Sequence, residues 1–263
     1  MDAYPVSTIH LHSGSAAEDA AYIALNDVAE LDLKKFRVIG GQMVSLHVHR
    51  RDLTLDRATA DADVGLQPLV LKTSDLVAKL GDLGYTRSGG NRFTRPLPYL
   101  PAETEPIHAT IDLLVPAQTS HVRDSVTHGD FNTTEVPGLA FAFQREAVSV
   151  PVRATLRNEE ILEFTVELPD ETAALALKAL SRTVRRKDND AIDVWRCLEI
   201  CQAVPLSGVH FGSDHDQVTS ILLDDFSRDG DGMNQLVNAR HLNSAQAASL
   251  RTRMQALIAS ILG

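Results

Sequence analysis

The sequence predicts an α/β (α+β) fold, in which a small mixed sheet with flanking helices is followed by a mainly helical C-terminal half. Short apolar runs typical of strands alternate with stretches of helical periodicity up to about residue 168, whereas the pattern is helical from Asp170 onward. The 263 residues are 44% hydrophobic, enough for one large domain or two modest ones. We therefore expect an α/β domain at 1–168 and a helical domain at 169–263.

The first elements are predicted from apolar spacing and from the residues that begin and end them. Residues 15–31 repeat apolar side chains at helical spacing after a serine and a glycine, which predicts an amphipathic helix. Residues 36–41 predict a short buried strand that ends in two glycines. Residues 42–52 favour a helix, although their β-branched side chains lower its propensity, and 58–66 predict the next strand.

The remaining elements follow from the same signals. Threonine and serine near its start and glycine near its end predict a helix at 71–85, and a proline ends the strand predicted at 108–116. The other predicted elements are, in chain order, a hairpin or loop at 87–103, a polar loop at 119–134, several short strands within 138–169, helices across 171–204 and a final helix at 243–262.

Charge and composition argue against several classes of protein. A formal net charge of -10 and a pI of about 5.4 disfavour broad nucleic-acid binding, although they leave a local basic groove open. No apolar run approaches the ~18 residues of a membrane helix, and the N-terminus lacks a signal-peptide pattern. Cys197 and Cys201 are four apart in one predicted helix, which favours buried free thiols. We expect a cytoplasmic protein with no membrane partner.

Asp61 and Asp63 form the first candidate site. Residues two apart on a strand point to the same face, so the two carboxylates are expected side by side. Like charges at that distance raise each other's pKa unless a metal, a lysine or water compensates them. Most such triplets are solvated turns or strand ends, so the pair alone is a weak signal of function.

Two further features strengthen this signal. Gly40 and Gly41 lie between a predicted strand and an apparent helix start, where free backbone N–H groups suit a phosphate and glycine permits close approach. Asp112 lies in the apolar strand at 108–116, and burial of an ionised carboxylate without a partner costs several kcal/mol. We expect Asp112 to face Asp61 and Asp63, which requires the two strands to be adjacent.

Three carboxylates on one face would form a metal site of Asp61, Asp63 and Asp112. Hard oxygen ligands select Mg²⁺ or Mn²⁺ rather than zinc. Two such ions about 4 Å apart can activate an attacking hydroxyl and stabilise a leaving pyrophosphate. Together with the glycine pair, this arrangement favours metal-dependent chemistry on a nucleotide.

At these residues the chain resembles the nucleotidyltransferase superfamily that includes DNA polymerase β, and within it the AbiEii family, the toxins of type IV toxin–antitoxin systems. The resemblance lies in VIGGQMVSLHVHRRDLTLDRATADADVGL, ATIDLLVP and LKALSRTVRRKDNDAIDVWRCLE, and it covers roughly residues 30–200. It implies a nucleotidyltransferase core that moves a nucleoside monophosphate from an NTP to an acceptor hydroxyl, with Mg²⁺ or Mn²⁺ as cofactor.

The resemblance also implies a role for each motif residue. The implied metal-binding residues are Asp61, Asp63 and Asp112, the implied nucleotide-binding residues are Gly40, Gly41 and Arg182, and Lys178 and Asp193 join the three aspartates in the catalytic set. Asp112 would also help to activate the acceptor hydroxyl. Lys178 would neutralise phosphate charge, and Asp193 would orient Lys178 or contact substrate. Without the resemblance, Lys178 is more typical of the exposed face of an amphipathic helix.

The acceptor is the least determined part of this interpretation. The resemblance implies the 3′ end of tRNA as acceptor and an antitoxin protein as partner, and we expect the basic run at 182–187 to bind the RNA backbone. A small-molecule acceptor such as an aminoglycoside is the first alternative, because an acidic protein attracts a polycation. A nucleotide-binding module without turnover is the second. A compact acidic cleft favours a drug, and an open basic cleft favours RNA.

Overall fold

A computed structural model of the chain describes residues 7–33, 35–55, 58–73, 75–97, 107–117, 122–123, 125–128, 131–204, 206 and 208–263. Strands and helices are interspersed up to residue 168, and the rest is helical, which confirms the predicted α/β class. None of the helices in these ranges combines the length and the apolar character that crossing a bilayer requires.

The described ranges contain ten strands and ten α-helices. The strands are β1 (Ile9–His12), β2 (Phe36–Ile39), β3 (Asp61–Leu66), β4 (Thr86–Arg87), β5 (Arg92–Pro96), β6 (His108–Pro116), β7 (Val126–His128), β8 (Phe131–Val136), β9 (Val148–Thr155) and β10 (Ile161–Leu168). The helices are α1 (Ala16–Glu30), α2 (Gly40–Arg50), α3 (Pro68–Thr73), α4 (Leu76–Asp82), α5 (Leu139–Gln144), α6 (Glu171–Val184), α7 (Asp188–Ala203), α8 (His215–Ser220), α9 (Asp231–Ala239) and α10 (Ser244–Leu262).

The larger sheet is mixed and has seven strands. Its main path runs β2-β3-β6-β5-β4, and β8 pairs with β6 and β7. Strand β3 is parallel to β6, whereas β2 and β5 are antiparallel to β3 and β6 respectively. One edge of β6 pairs with β3; the other pairs first with β5, up to Asp112, and then with β8, from Leu114. The change of partner therefore falls between Asp112 and Leu114, and the Leu113 N–H donates to the Asn91 carbonyl at 3.0 Å.

A smaller sheet of β1, β9 and β10 is joined to the larger one through helix α1. Strand β1 is parallel to β9, and β10 is antiparallel to it. Helix α1 begins after Ser15, whose side chain accepts a hydrogen bond from the Glu18 backbone N–H. It packs against β10, β3 and β6, and its Leu25 and Val28 side chains are fully buried between them. Burial of this apolar face fixes α1 across both sheets.

The helical half shares its hydrophobic core with part of the α/β half. Helices α6 and α7 pack against each other and against α8, α9 and α10. The same core contains Met43 and Val48 from α2, and Leu139 and Phe141 from α5. Among the described residues the buried apolar side chains form two clusters: one lies wholly within residues 9–168, and the other crosses the expected boundary near residue 168.

Three expected elements differ from the structure. The helix expected at 71–85 is two short helices, α3 and α4. The prediction of a polar loop at 119–134 is wrong where β7 and β8 form, because β8 pairs with both β6 and β7. An ion pair with Arg123 also stabilises the buried Glu135 of β8. Residues 118–121, 124 and 129–130 lie outside the described ranges. Within 138–169, residues Leu139–Gln144 form a helix instead of a strand, beginning after Gly138.

Candidate active site

Three aspartates share one face of the larger sheet. Asp61 and Asp63 lie two apart at the beginning of β3, so their side chains point the same way. Asp63 is paired directly with Asp112 in the parallel ladder of β3 and β6. Buried Val64 and Leu66 alternate with Asp63 along β3 and hold this register, because a slip of one residue would move them into solvent.

Gly40 allows Asp63 to approach the start of helix α2. Its φ is +67°, a left-handed conformation that glycine adopts at little cost, and a Cβ atom at this position would lie 1.8 Å from Asp63 Oδ2. The preceding residue, Ile39, provides no side-chain cap for α2. The first N–H groups of the helix, and the positive end of its dipole, therefore lie beside the Asp63 carboxylate.

Asp63 is the member of this cluster whose negative charge is least compensated. Burial, followed by the charges of Asp61 and Asp112, raises its pKa to about 7. The positive charges of Lys178 and Arg185 act in the opposite direction. Asp63 accepts no side-chain hydrogen bond from the residues that the structure describes. A carboxylate in this state is stabilised by an added cation.

Arg92 compensates the other two carboxylates. It begins β5 and lies opposite Asp112 in the antiparallel ladder of β5 and β6. Its Nε donates to Asp112 Oδ1 at 3.0 Å and its Nη2 to Asp112 Oδ2 at 2.6 Å, while the same Nη2 lies 3.4 Å from Asp61 Oδ2. The hydrogen bonds with Asp112 raise the pKa of Arg92 above its ordinary value. Its guanidinium therefore remains charged and bridges two of the three aspartates.

Helix α6 brings a buried lysine to the opposite side of the site. Lys178 Nζ donates to Asp193 Oδ2 of α7 at 2.7 Å, and the two side chains are only 5% and 4% exposed. Asp170 caps α6 by accepting from the Ala173 N–H. Because a buried charge without its partner is strongly unfavourable, Asp193 holds the Lys178 ammonium in place.

The cleft between the sheet and α6 has a volume of about 260 Å³. Its polar lining residues are Gly40, Asp63, Asn91, Asp112, Thr134, Glu135, Lys178, Ser181 and Arg185. Its apolar lining residues are Ile39, Leu114, Val136, Pro137, Leu177 and Val184. Acidic groups on one wall, basic groups on the other and an apolar surface between them are features of small-molecule binding sites.

Arg182, which the sequence predicts to bind nucleotide, is not among the residues that line this cleft. Its side chain is 1% exposed and forms an ion pair with Asp225. Its Nη2 donates to Gln235 Oε1 at 2.9 Å, and its guanidinium lies 5.1 Å from the centre of the Phe226 ring. One helical turn beyond Lys178, the side chain points toward the interior of the C-terminal half, where it stabilises packing.

Arg185 is the arginine that reaches the cleft. Helix α6 ends at Val184, and Arg185 has an extended backbone (φ −146°, ψ 151°), which changes the direction of the chain. Its side chain lines the cleft, is 53% exposed and forms an ion pair with Asp190 at 3.2 Å. The sequence placed Arg185 only within a general basic run; its distinct position depends on where α6 ends.

The glycine pair is divided between two sides of α2. Gly40 lines the main cleft, whereas Gly41 borders a small separate cavity together with Ser45 and Asp193. The next residue, Gln42, donates to the Thr59 carbonyl at 2.8 Å and so joins α2 to the segment before β3. Gly40 is therefore the glycine in a position to contact a ligand in the cleft.

The donor set fits one divalent cation at Asp61 and Asp63. Both oxygens of Asp112 accept hydrogen bonds from Arg92, which leaves Asp112 poorly suited to share a metal in this geometry. Across the part of the chain that the structure describes, no three His, Cys, Asp or Glu side chains are grouped to hold a metal ion. Carboxylate oxygens at Asp61 and Asp63 nevertheless match the preference of Mg²⁺ and Mn²⁺ for hard ligands.

Arg92 and Asn91 were not identified from the sequence. They belong to the segment 87–103, which predicted only a hairpin or loop; residues 98–103 lie outside the described ranges. The available signal was indirect. If residues 92–96 pair with 108–112 in antiparallel register, Arg92 lies opposite Asp112, and this pairing of opposite charges is favourable.

Neither cysteine lines the cleft, and both are buried free thiols. Burial raises the pKa of Cys197 and Cys201, so neither thiol is activated as a nucleophile. His47 is also buried, with its Nε2 2.9 Å from the Pro169 carbonyl oxygen. These three residues have packing roles.

Comparisons with known proteins assign no family to the chain. No protein-family model matches it. A search of curated proteins also finds no match. The function is therefore inferred from the geometry of the site and from the resemblance in its motifs.

Proposed function

We propose that this chain is a metal-dependent nucleotidyltransferase, which transfers a nucleoside monophosphate from an NTP to an acceptor hydroxyl and releases pyrophosphate. The observation that carries the proposal is the convergence of Gly40, Asp63, Asp112 and Lys178 on one cleft. They come from α2, β3, β6 and α6, and they belong to the motifs in which the chain resembles the AbiEii nucleotidyltransferases.

The basic side of the cleft suits the triphosphate. Lys178 and Arg185 supply two positive charges on and just beyond α6, and the uncapped start of α2 at Gly40 supplies backbone N–H groups. Asp193 prevents the Lys178 side chain from turning away. Phosphate oxygens between these groups would have their charge compensated from two sides.

The acidic side of the cleft suits the reacting atoms. A Mg²⁺ or Mn²⁺ ion at Asp61 and Asp63 would compensate phosphate charge and favour ionisation of the acceptor hydroxyl. The acceptor oxygen forms a bond to the α-phosphorus, the bond from that phosphorus to the pyrophosphate oxygen breaks, and a carboxylate of the cluster accepts the hydroxyl proton. The fixed positions of β3 and β6 orient these groups before substrate arrives.

The apolar wall suits the nucleoside. Leu114, Val136 and Leu177 border the same cleft as the charged groups, and Val184 is 47% exposed at its edge. A base packed on this wall would remove apolar surface from water while its phosphates reach Lys178.

The rim of the cleft favours an anionic acceptor over a polycationic drug. Arg185 lines the cleft with a side chain that is 53% exposed, and the next residue, Arg186, is 60% exposed. Such cations attract an RNA backbone and repel an aminoglycoside. This charge pattern supports tRNA 3′ ends as the acceptor. The resemblance to AbiEii proteins supports the same acceptor, and it also supports a toxin that an antitoxin protein inhibits.

Transfer of radioactive label tests the proposal. Each of the four α-³²P NTPs is incubated with total tRNA and Mg²⁺, using the unaltered chain, Asp61→Ala and, as a control, Arg153→Gln. Arg153 forms an exposed cross-strand pair with Glu163 on the smaller sheet. We expect label in tRNA with the unaltered chain and the control, and a loss of at least ~100-fold in Asp61→Ala.

Other outcomes identify the alternatives. Label on an aminoglycoside but not on tRNA would support the small-molecule acceptor. NTP binding by equilibrium dialysis without transfer to any acceptor would support a binding module. Label that persists unchanged in Asp61→Ala would contradict the proposed site.

A further inference from the structure

Arg92 introduces a permanent positive charge among the carboxylates. A guanidinium does not lose its proton in proteins, so this charge is present at every working pH. It contacts Asp112 through two hydrogen bonds and Asp61 through one longer contact. The aspartate cluster therefore already has one resident cation, which the chain itself supplies.

This position conflicts with a metal ion shared by Asp61 and Asp112. Such an ion would need carboxylate oxygens that Arg92 already occupies, and it would lie beside a group of like charge. Asp63 has no such competitor, because it accepts no side-chain hydrogen bond from the described residues. The geometry thus separates Asp63, which is open to a cation, from Asp112, which has one.

The two contacts of Arg92 also differ in strength. The bond to Asp112 is bidentate, and the Asp112 side chain is only 10% exposed, so the pair is geometrically fixed and shielded from water. The contact with Asp61 is a single one at 3.4 Å between side chains that are 49% and 43% exposed, and exposed contacts of this kind contribute little. A metal ion can therefore replace Arg92 at Asp61 but not at Asp112.

We propose that Arg92 takes the place of a second divalent cation: Asp61 and Asp63 bind a single metal ion, while Asp112 binds Arg92 instead of metal. This inference rests on the proposed function for the presence of a metal at Asp61 and Asp63. Asp112 is then a positioning residue, which orients the guanidinium toward the reacting phosphate. Nε and Nη2 donate to Asp112, and Nη1 donates to no acceptor among the described residues, so Nη1 would be able to donate to a substrate oxygen.

Metal stoichiometry tests this inference without any need for turnover. Mn²⁺ alone is titrated into the full chain, and free Mn²⁺ is measured by electron paramagnetic resonance. We expect one bound Mn²⁺ per chain in the unaltered protein and in Asp112→Asn, and none in Asp61→Asn/Asp63→Asn. Arg92→Gln frees the Asp112 oxygens, so we expect a second Mn²⁺ to bind, and Arg92→Gln/Asp112→Asn should return the count to one.

A matched control separates this effect from a general change in charge. Arg153→Gln also removes one arginine from a cross-strand ion pair, but on the smaller sheet, so its Mn²⁺ count should equal that of the unaltered chain. Circular dichroism establishes that each variant is folded. Asp112→Asn keeps the inference testable where Arg92→Gln fails to fold, because loss of one bound Mn²⁺ in Asp112→Asn would identify Asp112 as a metal ligand.

The remaining outcomes distinguish failure of this inference from failure of the proposed function. Two Mn²⁺ ions in the unaltered chain would overturn the inference and leave the nucleotidyltransferase proposal standing. One ion in both the unaltered chain and Arg92→Gln would also overturn it, because Arg92 would not then exclude the second ion. No bound Mn²⁺ in any variant would contradict the metal site on which both proposals depend.

Discussion

The two walls of the cleft differ in how far their charges are compensated by neighbouring charges. On the α6 wall, Lys178 and Asp193 form a closed pair in which both side chains are at most 5% exposed. On the sheet wall, the Arg92 guanidinium contacts Asp61 and Asp112 but not Asp63, and the Arg92 and Asp61 side chains are nearly half exposed. One wall is electrostatically complete, whereas the other carries an excess of negative charge.

This difference separates a wall whose charges are already held in place from a wall that lacks a cation. A buried, paired charge keeps its geometry, and because an ammonium has three N–H donors, Lys178 can hold Asp193 and still donate to a phosphate oxygen. An under-compensated cluster is unfavourable in the free protein and becomes favourable when a cation arrives, as is common in sites that sacrifice stability for function. Variants on the two walls should therefore shift the free energy of unfolding in opposite directions.

The largest expected effect is on the α6 wall. Lys178→Met removes the cation that lies 2.7 Å from the buried Asp193 carboxylate, so we expect a loss of about 3–5 kcal/mol in the free energy of unfolding. Urea denaturation followed by circular dichroism measures it. The double variant Lys178→Met/Asp193→Leu removes both charges and should recover most of the loss; a double variant as unstable as the single one would show that the pair is not the cause.

Gly40→Ala tests the junction between the walls. The added Cβ would lie 1.8 Å from Asp63 Oδ2, and the alanine backbone would have to adopt a φ near +67°. Because of the left-handed backbone and the displacement of Asp63, we expect the free energy of unfolding to fall by about 2 kcal/mol in urea denaturation. We also expect Mn²⁺ to bind more weakly. Gly81→Ala, in an open position within α4, is the matched control and should be neutral or slightly stabilising. Equal behaviour of the two variants would contradict the close approach of Gly40 to Asp63.

On the sheet wall, Asp63→Asn should increase stability. Folding raises the pKa of Asp63 from its ordinary value of 3.8 to about 7, so the folded chain binds this proton more tightly than the unfolded chain does. Ionisation of Asp63 therefore lowers the free energy of unfolding progressively as pH rises between these two values. Below the lower value the carboxyl is protonated in both states and has no such effect. We expect Asp63→Asn to gain about 1–2 kcal/mol near pH 8 and almost nothing near pH 4, measured by urea denaturation at both values. A variant less stable than the unaltered chain near pH 8 would contradict the account of this wall.

The smallest effect on stability is expected at the rim. Arg186 and Asp231 form an ion pair at 3.0 Å between side chains that are 60% and 73% exposed. Arg186→Gln should change the free energy of unfolding by less than about 0.5 kcal/mol. Filter binding at several salt concentrations should nevertheless show weaker tRNA binding with a smaller salt dependence. Unchanged tRNA binding would remove Arg186 from the acceptor surface.

The sequence was informative wherever chemistry follows from local spacing. The spacing of Asp61 and Asp63 predicted a shared face. The expectation that Asp112 faces them required two adjacent strands, and β3 and β6 are paired as it requires. The strand at 108–116 was predicted with the bounds that the structure gives. These features depend on strand periodicity, which a sequence displays directly.

The sequence was uninformative wherever chemistry depends on contacts between distant segments. Arg92 reaches Asp112 only because β5 and β6 pair in one particular register. Arg182 and Arg185 are three residues apart on similar sequence, yet the end of α6 at Val184 directs one to the interior and the other to the cleft. Likewise β8 forms from polar residues because β6 offers it an edge, which local composition cannot reveal.

A crystal structure with Mn²⁺ and the α,β-methylene analogue of an NTP would test the central claim most directly. The claim is that the sheet wall binds a cation while the α6 wall binds phosphate. We predict one anomalous Mn²⁺ peak at Asp61 and Asp63, phosphate oxygens at Lys178 and Arg185, and Arg92 still bonded to Asp112. A nucleotide bound outside the cleft, or Mn²⁺ coordinated by Asp112, would contradict it.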